Sequence, residues 1–111
     1  MTHVEWIAEA ERRFGKDPMQ WRFVCPCCSH EASVGDWKKA GASEGQVAFS
    51  CIGRNIGGKD AFTDGKGPCN YAGGGLFGLN PVEVVQDDGS VIHAFDFAER
   101  SHVMQDMETK K

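Results

Sequence analysis

No stretch of this 111-residue chain approaches the ~18 consecutive apolar residues that a membrane-spanning helix needs. A secretory signal is lacking as well. The opening MTHVEWIAEAERRF mixes acidic, basic and apolar residues, with neither a basic start nor an apolar core. Both absences predict a cytoplasmic protein. The overall composition carries no basic footprint for nucleic acid: 12 Lys and Arg stand against 16 Asp and Glu, for a formal net charge of −4. Internal repeats and low-complexity tracts are also missing, so one domain is expected over residues 1–111.

The acidity that is present is unevenly placed. Residues 1–79 carry nine basic and nine acidic side chains, whereas residues 80–111 carry three and seven. Chains this short bury about two-thirds of the surface their unfolded form exposes, so a cross-link would add needed stability. With no export signal, the five cysteines point to metal ligands and not disulfides, because the cytosol keeps thiols reduced.

Local patterns predict the elements. Thr2 and Glu5 form a capping box for a helix over 3–14, with Val4, Ile7, Ala8 and Phe14 inward and Gly15 as its left-handed stop. Residues 1–20 then make up this helix and its turn. In WRFVC the alternation of Trp21, Phe23 and Cys25 predicts a strand with one buried face. Ser33 and Asp36 cap a short second helix that turns Trp37 inward and stops at Gly41, and GQVAFSC reads as a second strand. The glycine-rich segment 53–67 is expected to be a mobile loop that orders on binding. Residues 82–97 form a hairpin turning at Asp87, Asp88 and Gly89 within a C-terminal unit over 80–98 that extends the same sheet. Residues 99–111 are expected to fray. The fold class is α+β: a small zinc-ribbon-like antiparallel sheet with an N-terminal helix and a short second helix.

Residues 21–79 contain the chemistry. Cys25 and Cys28 have the C-x-x-C spacing that lets two thiolates converge on one tetrahedral ion, and Cys51 and Cys69 supply the remaining pair. Between Cys28 and Cys51 lie 22 residues, and between Cys51 and Cys69 another 17, where a regular ribbon would have a second C-x-x-C. The bland alternative is that free cysteines are small buried hydrophobes. Against it, each of the four stands at an expected strand end or beside Gly or Pro, where knuckles form. Cys27 is the expected non-ligand, and His30 is a substitute ligand or a neighbour of the site. Four cysteines would close the coordination of a structural Zn2+, so no catalytic residue is assigned. A redox or metal-dependent enzyme would instead need a reactive Cys27 or an open metal position, with Glu31 as a weak base. Gly73, Gly74 and Gly75 lack the Lys of a phosphate loop and read as a turn packed on the knuckle. Trp6, Trp21 and Trp37 suit a small core better than base stacking.

The segments FVCPCCSHEASVGDWKKAGASEGQVAFSCIGR and GPCNYAGGGLFGLNPV resemble a family of small zinc-ribbon-like proteins of bacteriophages and prophages. Its recurring pieces are a C-P-x-C-G-H knuckle, F-S-C-I-G-R and G-P-C-[DN]-Y-A-G-G-G-L-F. Cys25, Cys28, Cys51 and Cys69 match these pieces, Cys27 falls at a variable position, and Ser29 replaces a glycine. The resemblance implies a phage-encoded zinc-binding accessory protein in the bacterial cytoplasm, with no particular activity attached.

Two functions from different classes follow. One is a module that binds a host protein or protein–nucleic acid complex, such as an inhibitor of a host defence system like CRISPR, because an acidic surface competes for basic grooves. The other is a nucleic-acid-binding ribbon in which Lys38, Lys39, Arg54, Lys59 and Lys66 gather near the metal.

Overall fold

The computed structural model describes residues 1–65, 67–74 and 78–98. The expectations for Lys66, Gly75, Leu76, Phe77 and the tail from Glu99 lie outside them. The fold is α+β. Helix α1 (His3–Phe14) begins with the full capping box: Thr2 Oγ1 accepts from Glu5 N–H at 3.1 Å, and Glu5 Oε1 accepts from Thr2 N–H at 2.8 Å. Gly15 ends it with φ 95° and ψ −177°, a positive φ outside the left-handed helical well. The inward face differs from the expected one. Ala10 is fully buried and Trp6, Ile7 and Phe14 pack beside it, whereas Val4 is 70% exposed and Ala8 faces solvent. Trp6 outcompetes Val4 because its ring has aromatic partners, stacking on Phe23 at 5.8 Å and meeting Phe97 at 5.7 Å.

After a 3-10 turn at Pro18–Gln20 come β1 (Arg22–Val24) and β2 (Glu31–Ser33), paired antiparallel with Phe23 opposite Ala32. Ser33 then caps α2 (Val34–Lys39) with a second reciprocal box. This helix buries Trp37, whose Nε1 donates to the Ser50 carbonyl at 3.1 Å. Trp21 likewise donates to the Gly15 carbonyl at 2.9 Å. Trp6 Nε1 is buried without an acceptor among the described residues, a cost of roughly 1–3 kcal/mol that its ring packing must offset.

The segment Gly45–Cys51, expected to be a strand, is a 3-10 turn at Glu44–Gln46 followed by tight turns. The Gln46 carbonyl accepts from both Phe49 and Ser50 N–H, and Ala48 has φ 58°. Ala48, Ser50 and Cys51 are thus buried from a coil, out of step with the alternation of a pleated strand. The segment 53–67, expected to be an irregular loop, contains a one-turn helix α3 (Gly53–Ile56), closed by Gly57 in the left-handed region. A bridge between Lys59 and Cys69 follows it.

The expected hairpin forms as β3 (Val82–Val85) and β4 (Val91–Ala94), with Gly89 at φ 88° in the turn. It does not extend the first sheet. The two strands make a separate sheet, and the chain breaks at Phe95, whose N–H donates to the Ala48 carbonyl at 2.7 Å. Only the two residues of β5 (Asp96–Phe97) join β1, giving the order β2-β1-β5. Phe23, Trp37, Phe95 and Phe97 belong to the buried cluster, with Phe23 and Phe97 rings 5.1 Å apart.

Candidate metal centre

Three short irregular segments converge on one point inside this core. The turn after β1 carries Cys25 and Cys28, the start of α3 follows Cys51, and Cys69 lies on the strand-like bridge to Lys59. All four sulfurs lie within 4.8 Å of one another and all four residues are buried. Cys25 and Cys69 sulfurs are 4.0 Å apart and those of Cys28 and Cys51 3.8 Å. A regular tetrahedron of sulfurs, each about 2.3 Å from one ion, has an edge of about 3.8 Å. The spacing therefore fits a metal ion, and it is far too long for a disulfide, whose sulfurs sit about 2.05 Å apart.

The backbone is arranged for thiolates. Cys27 N–H points at Cys25 Sγ at 3.4 Å, Tyr71 N–H at Cys69 Sγ at 3.4 Å, and Cys69 N–H at Cys51 Sγ at 3.5 Å. In two of the three the donor stands two residues after the ligand, the turn expected of a knuckle. The Cys25 N–H donates to the His30 carbonyl at 3.0 Å, which closes that turn, and Ser29 takes φ 67° within it. A glycine would hold that conformation at lower cost.

Crowding four thiols also splits their acidities. The hydrogen bond from the Cys25 thiol lowers Cys51 to about 5, with Gly53 and Cys69 amides assisting. The same bond, followed by burial, pushes Cys25 strongly upward. Burial first, then its neighbouring sulfurs, raise Cys69 to about 12. Crowded thiols thus push one another's acidities apart, and a cation that takes up thiolate charge would relieve that crowding.

Glycines admit the close approaches. A Cβ on Gly67 would stand 2.1 Å from Cys28 Sγ, and one on Gly53 would stand 2.1 Å from the Cys69 carbonyl oxygen. Gly73 packs on the Phe49 carbonyl, where a Cβ would come within 2.1 Å, and its N–H donates to Ser50 Oγ at 2.9 Å. It supports the approach to Cys51 and does not lie against the Cys25–Cys28 knuckle, as expected from sequence. The glycines at 53 and 67 are the residues that sequence reasoning missed; their place beside ligand cysteines in GPC and CIGR was the available signal.

The remaining candidates fall elsewhere. Cys27 turns away from the quartet and accepts from Phe62 N–H at 3.2 Å. The His30 side chain is outside the sulfur cluster. Glu31 faces Arg22 across the surface at 3.8 Å and is not aimed at the site. Lys66 lies outside the described residues; Lys38 and Lys39 line a cleft with Arg22, whereas Arg54 donates to the Asn70 carbonyl and Lys59 Nζ binds the Thr63 and Asp64 carbonyls. No helix among the described residues is long and apolar enough to cross a membrane.

Searches of curated proteins and of solved structures give no match. A family model described as VVA0879-like matches residues 2–98, which takes in the cap of α1, all four cysteines and the last strand. The chain belongs to the VVA0879-like family.

Proposed function

We propose that this chain is a zinc-stapled binding module, in which one structural Zn2+ on Cys25, Cys28, Cys51 and Cys69 holds together a surface that engages a partner protein. The observation that carries the reading is the closed donor set: four buried sulfurs at tetrahedral spacing complete a structural site, whereas a catalytic one keeps a position for water. An all-sulfur tetrahedral set favours zinc among the common ions, with iron as its competitor. The resemblance of the knuckle, FSCIGR and GPCNYAGGGLF segments to phage proteins supports a phage or prophage origin and a bacterial cytoplasmic setting. For an acidic binder of that origin the role in view is inhibition of a host defence system such as CRISPR, by competition for a basic groove.

Elemental mass spectrometry of the purified chain tests the metal, and capture from host lysate at physiological salt tests the partner. One zinc per chain and a specific protein on the beads are expected. A folded chain with no metal overturns the first half, and capture of no specific protein overturns the second.

One observation favours a second reading. Arg22, Lys38 and Lys39 share a cleft, which offers a local face for phosphates. Binding of single-stranded nucleic acid there should fall steeply with salt. Asp36 lines the same cleft and Glu31 pairs Arg22, so the local excess of positive charge is small. Protein binding is therefore the primary reading.

A further inference from the structure

The hairpin β3–β4 has two edges, and the described chain closes one of them. On the β3 side, the Met1 carbonyl accepts Val85 N–H at 2.8 Å, and the Met1 amino group donates to the Glu83 carbonyl at 2.9 Å. Glu83 and Val85 thus turn their backbone groups away from β4, which leaves Val82 and Val84 facing it. The register sets Val82 opposite Ala94 and Val84 opposite Ile92. By alternation, Val91 and His93 direct their N–H and C=O groups outward. Asn80 Nδ2 donates to the His93 carbonyl at 3.0 Å. The Val91 N–H, Val91 carbonyl and His93 N–H have no partner among the described residues. An open strand edge of this kind recognises another extended backbone.

The side chains beside that edge are apolar. Val91 is 46% exposed and Ile92 47%, well above what a strand packed on its own core would show. Two clefts adjoin them and share Phe49, Ile92 and His93. One, of about 470 Å³, lies toward Gly73 and Asn80. The other, of about 350 Å³, is walled by Trp6 and Val47. Alternate side chains of an added strand point to opposite faces, so apolar residues of a partner have receptacles here.

Charge selects among partners. Glu44, Asp87 and Asp88 line these clefts and the neighbouring one at the hairpin turn, and no Lys or Arg does among the described residues. The sequence has no Lys or Arg from Gly67 to Glu99, a stretch that holds Glu83, Asp87, Asp88, Asp96 and Glu99. A second copy of the chain would bring these acids face to face, and a nucleic-acid backbone would meet the same repulsion. We propose that the outer edge of β4 receives an extended segment of a partner protein in which apolar side chains alternate with Lys or Arg. The proposal rests on the protein-binding reading above and names the surface and the chemistry of what binds there.

The test is selection of a randomised decapeptide display library against the immobilised, zinc-loaded full chain. Enriched peptides are then measured on wild type, Ile92→Ser and Val91→Pro. Both positions are exposed and the Val91 N–H lies outside the ladder, so both variants should fold; zinc content and circular dichroism check this. The expected peptides alternate apolar and basic residues, weaken with salt, lose at least tenfold on each variant, and shift the amide resonances of Val91 and His93. Peptides that bind both variants as well as wild type overturn this edge as the site and leave the protein-binding reading standing. A library without binders, or with acidic ones, overturns the proposal, while lysate capture still judges the broader reading separately. Single-stranded DNA shifting the same resonances, or a dimer paired through β4 in ultracentrifugation, would also overturn it.

Discussion

At the scale of single residues, the clustering of four cysteines was legible in the sequence because thiolate chemistry needs few words: a C-x-x-C turn and two more cysteines beside glycines. What sequence left hidden was which glycines matter. Gly67 and Gly45 look alike in the chain, yet a Cβ at 67 would overlap Cys28 Sγ at 2.1 Å while one at 45 meets nothing within 4 Å. Gly67→Ala should therefore displace Cys28 and weaken metal binding at least tenfold, as read by competition with a chelator. Gly45→Ala should leave affinity unchanged and shift stability by no more than about 0.5 kcal/mol. Equal behaviour of the two variants would refute the close approach. Cys27→Ser should keep one ion per chain, because Cys27 Sγ meets Phe62 N–H and not the quartet. Loss of metal in that variant would assign the ligands differently.

At the scale of elements, both capped helices were readable from their reciprocal boxes, since cap and helix lie within four residues of each other. The strand expected at Gly45–Cys51 was not, because its apolar alternation is equally compatible with a coil of turns, which here buries Ala48, Ser50 and Cys51 instead. Nor could the hairpin be assigned to its sheet: the break at Phe95 depends on a bond to Ala48, far away in sequence. Glu9 of α1 gives this scale its prediction. Hydrogen bonds from Arg12 first, and then Arg13, hold its carboxyl at about 2, below the ordinary 4.5. A depressed carboxylate stabilises the fold above its unfolded pKa and loses that contribution as pH falls from about 4.5 toward 2. Linkage alone would make the contribution roughly 3 kcal/mol. The Glu9 side chain is 24% exposed and that of Arg12 59%, so solvent screening reduces it to about 1 kcal/mol or less. Glu9→Gln should thus lower the melting temperature by a small, constant amount from pH 8 to pH 5. A difference that changes sign or grows across that range would contradict the assignment.

At the scale of the whole molecule, the candidate metal site and the core are one structure. Among the described residues the buried cluster has fourteen members; four are the cysteines of the candidate site, and the others include Phe23, Ile52 and Tyr71, each within two residues of one of them. Structural zinc contributes on the order of 10 kcal/mol or more of apparent binding free energy, against about 5–15 kcal/mol for the stability of an entire domain. Chelation should therefore unfold the core in one transition and not loosen a single loop. Protons supply the decisive check. A thiol must lose its proton to ligate, so acid favours the metal-free chain and metal-dependent stability should fall steadily from pH 8 to pH 5. Without metal the core is unfolded, so its thiols titrate near the ordinary value of about 8.5 and are mostly protonated at pH 7. Zinc binding at pH 7 should consequently release at least two protons per ion. Calorimetry in buffers of different ionisation enthalpy counts them directly. Release of fewer than one proton would mean that the buried thiols are not the ligands, and the tetrahedral spacing of the four sulfurs would then need another cause.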